Sequence, residues 1–435
     1  MNAPLSVAAD RYLDAYSRIA ATLPGHGASW LDRARQSAIE RFARRGFPTR
    51  RDEDWKYTSV AAIEKGEFDL LPPPIGTSLA AQVSRLALPG SHLLVFVNGR
   101  LETGLSHLGR LPAGIVLGSL AYSLDQHPGE LEKELPATDG ASAFSDLNLA
   151  LMADGAYIRL PPGAHVKGPI QLLFLTSEAN LAIHLRNLVL AGAGSSASII
   201  EHHAAIGAPS YFTNTVTDIV LAPGAGIEHY KLQQESPAAF HIAAVNVAQE
   251  ADSRFVSGSF SLGAQLARVD ITVGLQGAGA ACDLDGLYVV DGPQHVDHHT
   301  CIDHRQPGCT SREFYKGVLN GAAHGVFNGR VVVYRDAQGS DAVQSNRNLL
   351  LSDNAEIDTK PQLEIWADDV KCSHGATVGQ LDPAQIFYLR SRGIGEAAAR
   401  SLLTRAFAME VIDRVRILLL QERLDDLLQH KLPRS

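Results

Sequence analysis

The stretch VTDIVLAPGAG, residues 216–226, carries the pattern that decides the fold. A short run rich in β-branched residues is followed at once by a turn of proline, glycine and alanine. β-Branched residues favour strands, and glycine and proline end them. The same alternation recurs from about Tyr157 to about Ala376, with further apolar runs at 170–176, 185–190, 268–273, 284–290 and 329–334. The central part of the chain is therefore predicted to be a series of strands.

Small-residue turns separate these runs at a loose interval of roughly 30 to 40 residues. They occupy residues 162–164, 192–194, 223–226, 277–279, 321–323 and 353–355. A repeated unit whose strands cannot bury their faces alone is typical of a solenoid, and here it predicts a parallel β-helix. An antiparallel β-sandwich is the alternative. Since no amphipathic helix of useful length lies between the runs, alternating β and α units are not expected.

Helices are predicted before and after the strands. An apolar set at helical spacing indicates the first helix: Tyr12, Tyr16, Ile19 and Leu23. A second is predicted from Ser29, as the N-cap, to Gly46, as the C′ residue. The charged segment that follows, 46–57, indicates only a surface loop by itself. We expect a helical or mixed region over 1–155, a β-helix core over 156–380 and a helical domain over 381–435.

The carboxy-terminal helices have a clear start signal. Asp382 suits an N-cap, Pro383 the first helical position and Gln385 the third, so a helix is expected to about Arg392, ending at Gly393. A longer helix follows, with one apolar stripe: Ala399, Leu403, Phe407, Val411 and Val415. Such a stripe packs on the β body or docks a partner, and packing within the chain is the safer interpretation for most of it.

Composition excludes several classes of protein. The net charge of −9 provides no basic face for nucleic acid or an anionic membrane. No apolar run approaches the roughly 20 residues that span a bilayer, and the amino terminus lacks a secretion signal, so a cytoplasmic location is expected. The four cysteines form no C-x-x-C pair, which argues against a disulfide framework or a closed zinc site.

Two motifs are weak. Residues 192–197, GAGSSA, match a dinucleotide fingerprint, but β-prone residues follow instead of a helix, so a β-helix turn is the preferred interpretation. The histidine-rich segment 295–304 has the composition of a metal site, although its spacing fits no closed site and loop histidines are common. Its candidate ligands are His295, His298, His299, Cys301 and His304.

The segment 360–377 is the most informative. If it is extended, Cys372 and His374 project from the same face two residues apart. A thiol and an imidazole side by side can hold iron or accept sulfur. A buried free cysteine beside a hydrogen-bonded histidine is the alternative.

Residues 359–377, TKPQLEIWADDVKCSHGAT, and 385–393, QIFYLRSRG, closely resemble the signature of the SufB/SufD family. The amino-terminal GFP at 46–48 and DWKYT at 54–58 resemble the family's motif there. The version CSHGAT at 372–377 is similar to the SufD type, since SufB-type chains carry Glu-His-Glu-Ala-Thr at this place. The resemblance extends from about residue 40 to about residue 415.

This resemblance implies a right-handed parallel β-helix flanked by helical domains. It implies an iron–sulfur assembly scaffold that pairs with a SufB-type subunit, binds a SufC-type ATPase through its carboxy-terminal helices, and carries a transient cluster at the SufB interface. His374 is then the first candidate iron ligand, Cys372 the second, and Leu403 and Phe407 are candidates for ATPase docking. Reduced flavin is associated with the family, but no residue here marks a flavin site.

The chain has no phosphate-binding loop, so a scaffold without ATPase activity of its own is expected. One alternative is a β-helix enzyme or binding protein that acts on carbohydrate through the 295–304 segment. Another is a homodimeric scaffold of the same family, against which the four dispersed cysteines argue, because stable clusters need several thiolates.

Overall fold

The computed structural model describes residues 7–74, 79–136 and 142–432. The α-helices are α1 Val7–Ile19, α2 Ser29–Arg45, α3 Ala61–Lys65, α4 Ala80–Leu86, α5 Leu120–Gln126, α6 Pro128–Glu134, α7 Ala143–Leu151, α8 Pro383–Arg390, α9 Glu396–Ile412 and α10 Leu418–Lys431. The strands are β1 His92–Val97, β2 Arg100–Leu101, β3 Val116–Ser119, β4 Ala156–Leu160, β5 Ile170–Thr176, β6 Ala182–Ala191, β7 Ser196–Ala205, β8 Phe212–Leu221, β9 Gly226–Gln234, β10 Phe240–Gln249, β11 Arg254–Ser261, β12 Leu266–Leu275, β13 Ala281–Val290, β14 His295–His304, β15 Thr310–Leu319, β16 His324–Val333, β17 Ser340–Leu350, β18 Glu356–Ile365 and β19 Val370–Gly379.

From β4 onward, successive strands alternate between two sheets. The ten-stranded sheet has the order β19-β17-β15-β13-β11-β9-β7-β5-β1-β2, and the nine-stranded sheet has the order β18-β16-β14-β12-β10-β8-β6-β4-β3. Each strand from β5 to β17 pairs in parallel with the strand one coil before it and the strand one coil after it. Antiparallel pairs occur where β2 meets β1 and β3 meets β4. The prediction of a parallel β-helix flanked by helices is confirmed, and the sandwich alternative is wrong.

The coils of the solenoid lie near or below the lower end of the interval of roughly 30 to 40 residues that the turns indicated. Ala182 lies opposite Phe212, 30 residues further on, and Phe240 lies opposite Leu266, only 26 residues further on. The sequence pattern did not reveal some of the turns, because they contain no run of small residues. At one of them Asp252 takes the left-handed conformation, with φ of 56°, that glycine takes elsewhere.

The turns stack on one another along one edge of the solenoid. The amide of Gly163 donates to the carbonyl of Ala193 at 2.8 Å, and that of Gly194 donates to Pro223 at 3.0 Å. The amide of Gly224 continues the series to Ala251 at 2.9 Å. The GAGSSA motif is thus a turn between β6 and β7, as its β-prone continuation predicted, and not a nucleotide loop.

The amino-terminal helices cover the outer face of the nine-stranded sheet. Trp55 and Phe144 pack there against Phe212, and the Arg268 guanidinium lies 3.8 Å from the centre of the Trp55 ring. The charged segment around Trp55 is therefore part of this packing. The helix α2 begins at Ser29 with Ala28 before it and no side-chain cap, so the assignment of Ser29 as the N-cap is wrong.

The carboxy-terminal helices cover the outer face of the ten-stranded sheet. Buried residues from α9 and α10, among them Val411 and Leu424, pack with Tyr230 and Phe260 of the sheet. The predicted cap at Asp382 is confirmed, because its carboxylate accepts a hydrogen bond from the amide of Ala384 at 2.8 Å.

The boundaries drawn at 155 and 380 stay a prediction. The strand β1 lies before the first boundary but pairs with β5 of the solenoid. Within the described ranges, none of the helices combines the length and apolar character that crossing a membrane requires.

We expect Gly277→Ala to lower the free energy of unfolding by about 1–3 kcal/mol. A Cβ at this position would lie 1.9 Å from the backbone nitrogen of Ala251 in the adjacent turn. Urea denaturation followed by circular dichroism measures the change.

The matched control is Gly129→Ala in α6, where a Cβ meets nothing within 4 Å. That variant should be unchanged or more stable by about 0.5–1 kcal/mol, since alanine favours helix. Equal losses in the two variants would contradict the close approach of the turns.

Candidate functional site

The solenoid ends in a coil that is open on one side. In the described chain, β18 pairs only with β16 and β19 pairs only with β17, so each leaves one backbone edge unpaired. Most side chains of β19 are exposed, whereas the same positions of inner strands are buried. This open end is the place where another chain can continue the sheets.

Cys372 and His374 lie on β19 in this last coil. Cys372 is opposite Ala342, and His374 is opposite Gln344. Ala342 and Gln344 are buried on the inner side of the solenoid, so the register directs both Cys372 and His374 toward that inner side. His374 is nevertheless exposed, because no further coil covers it. Both candidate ligands are thus presented at the open end of the interior.

The Cys372 thiol is half-buried against the core of the solenoid. Burial raises its pKa, and the nearby Asp341 carboxylate raises it further. The thiol is therefore protonated in the isolated chain at neutral pH. A metal ion or a sulfur donor must displace this proton, since the thiolate is the form that binds metal and attacks sulfur.

Polar side chains line the interior beneath the last coil. Gln344 donates a hydrogen bond to Glu313 one coil deeper, at 2.5 Å, and Thr359 donates to Asn346 at 2.9 Å. Burial raises the pKa of Glu313 to about 7. A titratable carboxyl group thus lies two coils below His374, with Gln344 between them.

Apolar side chains surround the open end. Trp366 is 68% exposed, and Ile365 and Val378 are also exposed. Exposed apolar groups beside an unpaired sheet edge are typical of a protein interface. The sequence analysis missed these residues because their exposure follows from belonging to the last coil, which strand propensity does not reveal.

The histidine-rich segment is a strand, β14, so its interpretation as a loop is wrong. Its side chains divide between two faces. His298 and His304 point inward, where His304 contacts the hydroxyls of Ser311 and Ser340 at 2.8 and 3.2 Å. His298 lies 3.1 Å from the Ser261 hydroxyl.

The other three candidates of β14 point outward. His295 contacts the Thr58 hydroxyl at 2.9 Å, His299 contacts Asp297 at 3.0 Å, and Cys301 accepts a hydrogen bond from Arg330 at 3.5 Å. The strand alternation separates them from the inner pair. In the described ranges, these five residues form no group of three with metal-binding geometry.

The candidate docking residues Leu403 and Phe407 are half-buried on α9. The Lys316 ammonium lies 4.0 Å from the Phe407 ring centre and donates to the Phe407 carbonyl at 2.9 Å. Phe407 therefore serves packing within the chain. The exposed large apolar residues of the carboxy-terminal helices are Phe387 and Tyr388 on α8 and Leu402 on α9, and α10 adds Leu418 and Leu419.

The family model described as "SUF system FeS cluster assembly, SufBD core domain" matches residues 174–407, more than half of the chain. This chain belongs to the SufBD family of iron–sulfur cluster assembly proteins. The model of the SufBD amino-terminal region matches residues 6–172. The family resemblance carried by residues 359–377 is confirmed.

Relatives from several bacteria support this membership. The iron–sulfur cluster assembly protein SufD of Escherichia coli is 34% identical over 392 residues, which cover 88% of each chain. A SufBD family protein of Synechocystis is 35% identical over 93% of this chain and 92% of the relative. SufD of Bacillus subtilis is 25% identical over 73% of this chain and 74% of the relative. The similarity thus includes named SufD proteins, while the roles of individual residues stay predictions.

We expect Glu313→Gln to stabilise the protein at pH 8 more than at pH 5, by on the order of 2 kcal/mol. The folded pKa of Glu313, about 7, lies above its ordinary value of 4.5. The folded state then binds more protons than the unfolded state between these values, so stability falls as pH rises through this window. Glutamine keeps an acceptor for Gln344 and removes the buried charge. Urea denaturation at the two pH values measures the difference.

Glu132→Gln, at an exposed position of α6, is the control and should give the same stability as the parent at both pH values. A Glu313→Gln effect that does not change with pH would show that Glu313 does not titrate in this range.

Proposed function

We propose that this chain is a scaffold subunit without catalytic activity of its own, which pairs with a SufB-type subunit through the open end of its β-helix. A nascent iron–sulfur cluster is built across that interface, with His374 as an iron ligand and Cys372 as a second one. The observation that supports this most strongly is the unpaired last coil that carries both residues.

The open end suits a partner that adds strands. Unpaired backbone groups on β18 and β19 can pair with the strands of another solenoid, and this mode of binding provides many hydrogen bonds. Burial of Trp366, Ile365 and Val378 supplies the apolar part of the interface. A partner on this end would cover His374 as well.

The two candidate ligands on this chain, Cys372 and His374, make up only half of a cluster site. The irons of a cluster are held by four protein ligands, usually thiolates. One thiol and one imidazole leave the remaining ligands to the partner, which explains why assembly belongs at an interface. Reduced flavin has no part in this scheme.

We expect His374→Ala to lower bound iron and sulfide at least fivefold, and Cys372→Ser to lower them less. The chain is purified with its SufB-type and SufC-type partners, loaded anaerobically and assayed for both elements. Loss of the imidazole removes an iron ligand without disturbing the packing, because His374 is exposed.

His165→Ala, which alters an exposed histidine near the beginning of the solenoid, should load as the parent does. An intact complex that loads fully with His374→Ala would place the cluster ligands elsewhere. If the chain forms a stable dimer that takes up cluster without the SufB-type subunit, the homodimeric scaffold replaces the heterodimer. The two copies would then join through the unpaired edges of β18 and β19 in each copy, as a two-fold interface allows.

The ATPase subunit is proposed to dock on α8 and α9. The helix α8 begins four residues after β19 ends, so a movement of α8 acts on the strand that carries Cys372 and His374. A second link joins α9 to the sheet: the Lys316 ammonium pairs with Glu410 at 2.7 Å, and Arg347 of β17 lies 3.8 Å from the same carboxylate. ATPase dimerisation would thereby act on the last coils.

We expect the double variant Phe387→Ser and Leu402→Ser to weaken binding of the SufC-type subunit at least tenfold, since both side chains are exposed and their loss leaves the core intact. Titration calorimetry measures the affinity. Leu419→Ser, an exposed leucine on α10, is the control and should bind as the parent does. Undiminished binding by the double variant would place the docking site elsewhere. Phe407→Ser is a poorer test, because it also removes packing against Lys316.

A further inference from the structure

Three metal-ligating side chains meet inside the solenoid, several coils away from the open end. His203 lies on β7, His241 on β10 and Glu235 directly after β9. All three are buried, and one ligand atom from each lies within 4.8 Å of the others. They come from positions up to 38 residues apart, so they meet only because the coils stack.

One ring nitrogen of His241 has no hydrogen-bond partner in the described chain. Its Nδ1 lies 2.7 Å from a carboxylate oxygen of Glu235, whereas Nε2 contacts no hydrogen-bonding group. A buried imidazole nitrogen without a partner is costly. A metal ion in contact with both His241 and Glu235 would supply the missing partner.

Glu235 is a buried carboxylate without a cationic partner. Thr213 donates to one of its oxygens at 2.8 Å and Gln233 to the other at 3.1 Å, and both bonds favour the ionised form. In the described ranges, no lysine or arginine forms an ion pair with it. A buried charge normally requires a counter-ion.

His203 is oriented by a neighbouring ion pair. The Lys231 ammonium donates to Nε2 of His203 at 3.0 Å and lies 3.3 Å from a Glu201 oxygen. The same Glu201 oxygen is 3.6 Å from Nε2 of His203. The nitrogen left for a metal is therefore Nδ1. When Nδ1 binds, its proton moves to Nε2, so the Lys231 ammonium must give up its hydrogen bond to Nε2 and keep its contact with Glu201. The Nε2–H then points to Glu201 in the manner of carboxylate–histidine–metal sites.

The imidazoles are in the form that binds metal. Burial lowers the pKa of His203 to about 3 and also lowers that of His241. Both are neutral at pH 7, which a metal ligand must be.

We propose that His203, Glu235 and His241 bind one divalent transition-metal ion, Zn²⁺ or Fe²⁺, inside the solenoid. Two imidazoles and a carboxylate form a donor set that both ions accept. Bonds of about 2.0–2.1 Å put the ligand atoms about 3.3 Å apart on a tetrahedral ion. Ligand atoms now up to 4.8 Å apart must therefore approach one another, and a pair as close as the 2.7 Å of His241 and Glu235 must separate slightly. Six strand spacings, roughly 29 Å, separate β7 from β19, so this site is independent of the proposed cluster site.

The test is metal content of the full chain, refolded anaerobically with Zn²⁺ or Co²⁺ and then desalted with a chelator. The parent should retain about one ion per chain, and the Co²⁺ form should show visible bands without a thiolate charge-transfer band. Glu235→Gln and His241→Gln should retain at least tenfold less. His184→Gln is the matched control, because His184 is equally buried and lies outside the group.

A parent that retains no ion, or Glu235→Gln and His241→Gln variants that retain as much as the parent, would overturn the site. If those variants fail to fold, the double variant Cys372→Ser and His374→Ala decides. Retention of the Co²⁺ spectrum in that protein supports the interior site, and its loss assigns the ion to the open end. This variant also separates failure of the interior site from failure of the proposed cluster site.

Discussion

Parallel pairing between successive coils is the constraint on which the structure depends. Each strand of the solenoid satisfies its backbone through the coils before and after it. Such a structure has no natural end, because every added coil creates the same unpaired edge that it covers. Antiparallel strands and helices close the amino-terminal end, while the last coil, with β18 and β19, stays open. This open coil is the geometric basis of the proposed pairing with another chain.

The interior of the solenoid is more polar than a typical protein core. Apolar residues such as Val269 and Leu284 fill much of it, but Glu201, Lys231 and Glu313 lie among them. Stacked coils bring such groups from distant parts of the chain into direct contact, as where the Lys231 ammonium lies 3.3 Å from a Glu201 oxygen. Polar residues inside a solenoid are thus placed by coil register, which the parallel pairing of each strand from β5 to β17 with both neighbouring coils fixes.

The sequence predicted the strands best where they are apolar. The strand β5 has the predicted bounds, whereas β14 was taken for a loop because its histidines and aspartates hide the alternation of its inner residues, Val296, Thr300 and Ile302. The pair Cys372 and His374 is a prediction from strand alternation and a family motif, and only its position on β19 follows from the structure. The exposure of Trp366 and the meeting of His203 with His241 depend on which residues of successive coils lie opposite one another. The irregular spacing of the turns does not fix that register.

The amino-terminal segment 46–58 contacts residues that lie far later in the sequence. Thr58 donates a hydrogen bond to Asp297, 239 residues away, and Glu53 pairs with Lys360, 307 residues away. During synthesis this segment leaves the ribosome long before its binding surface on β14 and β18 exists. At about 5–20 residues per second, it waits for roughly 15 to 60 seconds. Trp55 meets Arg268 only after a further 213 residues are made, so this aromatic side chain needs protection from aggregation in the nascent chain.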